Sequence, residues 1–228
     1  SKPSTLTATA LADAVAASRA TLVFGSPAAL ANIISTADRL SERQRQVLTK
    51  PRLLLSTGAP VPLETLYSIR TIIPNAIAHT PYGMTEMLPV ADIDIKDLEH
   101  AGAKNGICVG YPVPEVSVTI QPLNVQGEPS GEPVITPGVT GEICISSNHG
   151  KREYDKLYFT EQASRIISDN HVGHRSGDVG HFDEKGRLWV EGRLAHVITT
   201  PAGPVTPYAL ETAVKKIPYI KEAAVVGV

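Results

Sequence analysis

The sequence is short of cysteine, of aromatic residues and of excess charge, and each shortage removes a class of protein. Only two cysteines occur in 228 residues, Cys108 and Cys144. Each sits in an apolar run, Ile107-Cys108-Val109 and Ile143-Cys144-Ile145, and reads as a small core hydrophobe of a reducing compartment, not part of a disulfide framework. Lys and Arg number 21 against 23 Asp and Glu, a formal net charge of −2. Such balance gives no basis for a nucleic-acid partner or a polybasic membrane anchor. No apolar run approaches the roughly 20 residues of a membrane span, so no transmembrane segment is expected. The opening residues Ser1-Lys2-Pro3-Ser4-Thr5 lack the charged head and apolar stretch of a secretory leader, which points to the cytoplasm. The chain does not begin with Met, as expected of a trimmed or excised segment. Apolar residues make up 42% and the mean hydropathy is −0.01, too apolar for disorder and enough for a real core in one large or two modest domains.

What is present changes character along the chain. Over about the first 95 residues helix and strand alternate. Leu6, Ala10, Leu11, Ala14 and Val15 recur at helical spacing, and Thr21-Leu22-Val23-Phe24 reads as a short buried strand. Ser26-Pro27 predicts a capped second helix and Ser41-Glu42-Arg43-Gln44 a capping box on a third. Arg52–Ser56 is a further strand, a helix starts at Pro62, and Ala76-Ile77-Ala78 is another strand. Such alternation makes a mainly parallel sheet. After about residue 105 the pattern becomes short β runs, Val116–Gln121, Gly141–Ser146 and Arg187–Glu191, parted by Gly/Pro-rich stretches. These predict an antiparallel, barrel-like unit with a turn at Asp183-Glu184-Lys185-Gly186. Beyond Gly192-Arg193 come a strand (Val197-Ile198-Thr199), a helix from about Pro207 to Lys216, and a closing strand at Ala223–Val228.

Three polar, glycine-bearing segments carry the chemistry. Ser56-Thr57-Gly58-Ala59-Pro60 follows a strand and precedes a helix, where open α/β sheets bind ligands, and its glycine allows close backbone approach; taken alone it is equally a tight turn. His79-Thr80-Pro81-Tyr82-Gly83-Met84-Thr85-Glu86 offers an aromatic face, a hydroxyl for phosphate and a carboxylate for a divalent cation, or an irregular loop with a Thr/Glu helix cap. His174-Arg175-Ser176-Gly177-Asp178-Val179-Gly180 and Gly192-Arg193 supply a carboxylate suited to ribose hydroxyls and a planar donor fork; a turn aspartate and a solvated arginine are the plain alternative. His79, His174 and His196 match no zinc spacing. His79 lines a ligand pocket or is a hydrogen-bonded core or rim histidine. No G-x-S-x-G elbow is present.

Taken together these segments resemble the adenylate-forming superfamily of acyl-CoA synthetases, peptide-synthetase adenylation domains and luciferases. Tyr82-Gly83-Met84-Thr85-Glu86 matches its Y-G-x-T-E core. Gly141-Glu142-Ile143-Cys144-Ile145 resembles its G-E strand, Ser176-Gly177-Asp178 its T-G-D, and Gly192-Arg193 its G-R before the hinge. Gly203, Val205, Pro207 and Glu211 fit its lid pattern. The resemblance implies an α/β fold: a mainly parallel sheet with flanking helices, then a β-barrel-like subdomain and the start of a small α+β lid. On that basis residues 1–104 are the second half of the large-domain sheet region, 105–192 the barrel-like subdomain and 193–228 the start of the lid. It also implies ATP or AMP and Mg²⁺ as cofactors. Gly58, Ala59, Pro60 and Tyr82 would frame the adenine, Gly83 would belong to the same cofactor site, Thr85 would contact the α-phosphate, Glu86 would bind Mg²⁺, and Asp178 and Arg193 would hold the ribose. Thr85 and Glu86 are thereby the catalytic candidates.

Departures from the family matter as much. Its phosphate loop ending in Lys-Gly and its lid lysine have no counterpart here, so the chain is expected to lack the first half of the large domain and the rest of the lid, and to be inactive alone. Ala195 stands where many members carry a charged hinge residue, and Thr199 where many carry Lys. With Thr80-Pro81-Tyr82-Gly83, Leu88-Pro89-Val90 and Ala195-His196, the pattern is most similar to the β-lactone synthetases of olefin biosynthesis. That branch implies a long-chain 3-hydroxy fatty acid as substrate, adenylated and then closed to a β-lactone. A fatty-acyl-CoA ligase forming a thioester and a non-catalytic nucleotide-binding module are the alternatives.

Overall fold

The computed structural model describes residues 6–102, 105–168 and 171–228; the opening residues 1–5 lie outside the described residues. The chain divides into two compact units, one of residues 1–83 and 92–101, the other of 84–91 and 102–228.

The first unit is a parallel α/β layer. Helix α1 (Ala8–Ser18) starts where the Thr7 side chain accepts from Ala10 N–H and ends at Arg19, left-handed at φ 54°. Strand β1 (Leu22–Gly25) follows, then α2 (Pro27–Ser35), capped by Ser26 with proline leading as expected, and α3 (Glu42–Val47), where the Ser41–Gln44 capping box forms. Next come β2 (Leu53–Ser56), α4 (Leu63–Ile72) and β3 (Ile77–His79). The order β1-β2-β3 is parallel, with Val23 opposite Leu54 and Leu54 opposite Ala78. That row of side chains packs into one apolar core with Leu11, Leu30, Ile33, Leu66 and Ile69 from the helices.

Two expectations for this unit change. The buried stripe of α1 is Ala8, Leu11, Ala12 and Val15, while Ala10 and Ala14 are exposed; the i, i+3, i+4, i+7 set begins at Ala8. Strand β1 is not buried throughout, because Leu22 is 46% and Phe24 57% exposed. The unit's helices cover one face of the sheet, and the period of two sends alternate side chains to the other.

The second unit is an antiparallel sheet. The chain enters it through β4 (Tyr82–Met84) and β5 (Met87–Asp92), and a short helix α5 (Ile95–Glu99) belongs to the first unit. Then come β6 (Ile107–Pro112), β7 (Val116–Pro122), β8 (Gly141–Ser147), helix α6 (Tyr158–Ser164), β9 (Arg165–Ser168), β10 (His171–Phe182) and β11 (Leu188–Arg193). The sheet order is β4-β5-β6-β11-β10-β8-β7, with β9 on β10; the ladders among β6 to β11 are antiparallel. Strands β4 and β5 were not among the expected strands; an irregular loop was one reading of the Tyr82–Glu86 segment. The Asp183–Gly186 turn forms as expected, with Gly186 N–H donating to Asp183 O at 2.9 Å.

After β11 a 3-10 turn (Leu194–His196) leads to a small ribbon of β12 (Ile198–Thr200) and β13 (Gly203–Val205), then helix α7 (Pro207–Lys215). The expected strand at Ala223–Val228 does not form: the segment has no ladder partner among the described residues, and Val225 N–H donates to the Glu211 carboxylate at 3.1 Å.

Candidate functional site

In the first unit the expected residues gather at the carboxyl edge of the parallel strands. Strand β2 ends at Ser56, whose hydroxyl is buried with no hydrogen-bond partner among the described residues. Thr57 Oγ1 then donates to Pro81 O at 2.7 Å, tying the loop after β2 to the loop after β3. Gly58 takes φ 96°, and a Cβ there would meet nothing within 4 Å. Backbone conformation, not crowding, calls for glycine. Gly58, Ala59 and Pro60 are exposed, and Tyr82 and Gly83 are half-buried in β4. Beside them His79 Nδ1 lies 2.6 Å from Asp92 Oδ2.

In the second unit Thr85 is exposed in the turn between β4 and β5, and Glu86 follows it half-buried. Tyr154, outside the motifs the sequence singled out, donates its hydroxyl to Glu86 Oε1 at 2.5 Å, and Lys151 N–H donates to Glu86 O at 2.7 Å. Lys151 Nζ pairs with Glu161 Oε2 at 2.7 Å and lies 4.3 Å from the Tyr154 ring centre. The Tyr154 hydrogen bond holds the Glu86 carboxyl below its ordinary value. Burial, then the same hydrogen bond, push the Tyr154 phenol up to about 12. Glu86 is therefore an ionised carboxylate on a neutral donor. Among the described residues no three His, Cys, Asp or Glu side chains converge as a metal cluster. Glu86 alone fits Mg²⁺ with substrate phosphates completing the shell, since that ion commonly takes one or two carboxylates plus phosphate oxygens and water.

The Ser176-Gly177-Asp178 segment breaks the β10 ladder: pairing with β8 shifts register between Arg175 and Val179. Gly177 takes φ 70°, Ser176 Oγ donates to Ile143 O at 2.7 Å, and Asp178 N–H donates to Ser176 Oγ at 3.0 Å. Asp178 and Arg193 face each other across β10 and β11, and Arg193 Nη1 donates to Asp178 Oδ1 at 2.8 Å. The structure thus joins the two expected ribose residues to each other. Asp178 is largely buried while the Arg193 side chain is 60% exposed, so the arginine braces the carboxylate from its open side. Beneath them Glu142 takes two bonds from the Arg175 guanidinium, at 2.8 and 2.6 Å, and one from Gly177 N–H at 3.2 Å.

His174 is buried in β10, its Nδ1 without a hydrogen-bond partner among the described residues, and burial, then Lys151, lower its pKa. Both cysteines are buried and unbridged, and burial pushes the Cys144 thiol up to about 12. A separate cavity of about 740 Å³ is lined by Cys144, Lys151, Arg152 and Arg165 and by none of the expected site residues. No helix among the described residues is long and apolar enough to cross a membrane.

An ionised Glu86 after a Tyr-Gly strand and a braced Asp178 after a glycine break are features of the motifs that the sequence shares with adenylate-forming enzymes. The AMP-binding enzyme family model matches residues 1–154, and the chain belongs to that family. Within it, the chain is 35% identical over 244 residues to the olefin β-lactone synthetase of Xanthomonas campestris pv. campestris, covering 100% of this chain and 42% of that protein. It is 32% identical to the olefin β-lactone synthetase of Stenotrophomonas maltophilia, over 96% of this chain and 40% of that one. The fold matches O-succinylbenzoate coenzyme A synthetase of Bacillus subtilis, solved with ATP and magnesium, with a TM-score of 0.71 at 21% identity, over 97% of this chain and 42% of that chain. The chain spans about two fifths of the length of these relatives.

Proposed function

We propose that the protein containing this chain activates a long-chain 3-hydroxy fatty acid with ATP and closes the acyl-adenylate to a β-lactone. The observation that carries this reading is the similarity to two olefin β-lactone synthetases along essentially the whole chain. In the first step a substrate carboxylate oxygen attacks the α-phosphorus of ATP and pyrophosphate leaves. In the second the 3-hydroxyl oxygen attacks the acyl carbonyl and AMP leaves.

Gly58, Ala59, Pro60, Tyr82 and Gly83 frame the adenine, Thr85 donates its hydroxyl to the α-phosphate, and Glu86 holds Mg²⁺ from an oriented, ionised carboxylate. Bound there, the ion offsets phosphate charge as it builds at the α-phosphorus. Asp178, braced by Arg193, accepts from the ribose hydroxyls. The ring-closing step gains from effective molarity because nucleophile and carbonyl share one molecule, although four-membered ring strain offsets part of the gain. Ala195 at the hinge position carries no charge to exchange between lid orientations, in keeping with a reaction that admits no separate acyl acceptor after adenylation.

The test is the product. Full-length protein given ATP, Mg²⁺ and a long-chain 3-hydroxy acid without coenzyme A is expected to release AMP and pyrophosphate and form the β-lactone. AMP release that depends strictly on coenzyme A, with a thioester as sole product, would overturn the proposal in favour of an acyl-CoA ligase.

A further inference from the structure

Ring closure requires something that adenylation does not. The attacking carboxylate of the first step is already ionised, whereas the 3-hydroxyl of the second is a weak nucleophile that must lose its proton. Neither Thr85, Glu86 nor the Asp178–Arg193 pair is suited to take it: the carboxylates are committed as hydrogen-bond acceptors and the arginine stays charged.

One pair in the first unit has the required form. His79 closes β3, opposite Leu55 of β2 in the parallel ladder, and so lies at the carboxyl edge where the Gly58 loop begins. Asp92 is held beside it by the bridge between His79 and Asp94 and by Thr80 N–H donating to Ile93 O at 2.9 Å. His79 Nδ1 sits 2.6 Å from Asp92 Oδ2, with the two side chains 27% and 32% exposed. A carboxylate at Nδ1 keeps the ring proton there and leaves the lone pair on Nε2. Nε2 has no hydrogen-bond partner among the described residues. Two more polar atoms in this part of the unit, Ser56 Oγ and Asp92 Oδ1, are buried with no hydrogen-bond partner among the described residues. Buried polar atoms are normally satisfied, so their presence here marks an edge that a polar substrate group completes.

We propose that His79, positioned by Asp92, is the general base of ring closure. The inference rests on the ring-closing function proposed above. As the 3-oxygen bonds to the acyl carbon, its proton passes to His79 Nε2, the bond from the acyl carbon to the phosphate oxygen breaks, and AMP leaves with that electron pair. The imidazolium then returns its proton to solvent. Asp92 fixes the tautomer and balances the transient positive charge.

The experiment compares two reactions of the full-length protein: ATP–pyrophosphate exchange dependent on the 3-hydroxy acid, and β-lactone formation. For His79→Ala the ratio of lactone to exchange is expected to fall by roughly 10²–10⁴, the usual share of general acid–base catalysis, with acyl-adenylate accumulating and added imidazole restoring part of the closure. His79→Gln, which retains a donor toward Asp92 but takes up no proton, is expected to show the same fall and covers the case in which the alanine variant does not fold. Asp92→Asn is expected to lower the ratio less, and to add little in the His79→Ala background, because it acts through the imidazole. Equal loss of exchange and lactone in both His79 variants, or lactone formed at the wild-type rate, would overturn the base assignment while leaving the lactone reaction standing. Exchange by the wild type with no lactone at all would overturn the ring-closing function, and the base assignment with it.

Discussion

The two units bury different materials. Among the described residues ten polar or charged side chains are buried: Thr36 and Ser56 lie in the first unit, and Glu142, His174, Ser176, Asp178, Asp183, Arg187, Glu191 and Thr206 in the second. The parallel unit is a hydrocarbon core built around Leu30, Ile33, Leu54, Leu66 and Ile69. The antiparallel unit is cross-braced by ionic hubs. Asp183 accepts from Arg187 Nε at 2.8 Å, from Trp189 Nε1 at 3.0 Å and from the backbone N–H groups of Lys185 and Arg187. Glu191, 1% exposed, accepts from Asn105, from Thr140 at 3.0 Å and from Thr206 at 2.7 Å, and meets His181 Nδ1 at 2.7 Å. A hydrocarbon core tolerates shape changes in proportion to the volume lost, whereas a buried ionic hub fails when one partner goes, because the other is left charged and unsolvated.

That contrast can be broken by substitution. Arg187→Ala leaves Asp183 buried without its cation and is expected to destabilise the second unit by about 3–5 kcal/mol. Denaturant unfolding followed by Trp189 fluorescence reads it directly, since this is the only tryptophan; a loss below about 1 kcal/mol would mean the hub is ornamental. Leu54→Ala, at the centre of the first unit's core, is expected to cost about 2–5 kcal/mol, read by circular dichroism during unfolding. Acid sharpens the difference. Burial raises the Asp183 carboxyl, but the hydrogen bonds from Trp189, Arg187 and the backbone outweigh it and hold its pKa well below the ordinary value. Its stabilisation is thus fully present above the unfolded value of about 3.9 and is lost as pH falls toward the folded one. An acid titration of Trp189 fluorescence is expected to show this loss, and Asp183→Asn to remove that part of the pH dependence. The smallest effect is Ser41→Ala, which opens the capping box of α3 and is expected to cost about 1 kcal/mol by the same unfolding measurement.

The same contrast explains what the sequence revealed. The first unit was legible wherever local rules act: the Ser26 and Ser41 caps, strand β2 and the helix after Pro62 all depend on neighbours in sequence. The phase of α1 and the open face of β1 were not, since burial is decided by which side the helices cover. The contiguous motifs stood out as well: Tyr82–Glu86, where the chain passes from the first unit to the second, and in the second unit Ser176–Asp178 and the Asp183 turn. The Tyr154 bond to Glu86 spans 68 residues and the Arg175 bond to Glu142 spans 33, and no periodicity encodes such separations. The Asp92 contact with His79 escaped notice because it spans 13 residues and forms only where β3 and β5 meet. The final strand was misread because an apolar run needs a partner strand that folding does not provide among the described residues.

The most direct test of the account is ATP–pyrophosphate exchange by the full-length protein, measured with and without a long-chain 3-hydroxy acid, in wild type and in Glu86→Gln. The account predicts exchange that requires both the acid and Mg²⁺ and that drops by at least about tenfold when Glu86 loses its charge. Absence of exchange with the acid in the wild type, or exchange in Glu86→Gln at the wild-type rate under limiting Mg²⁺, would contradict it.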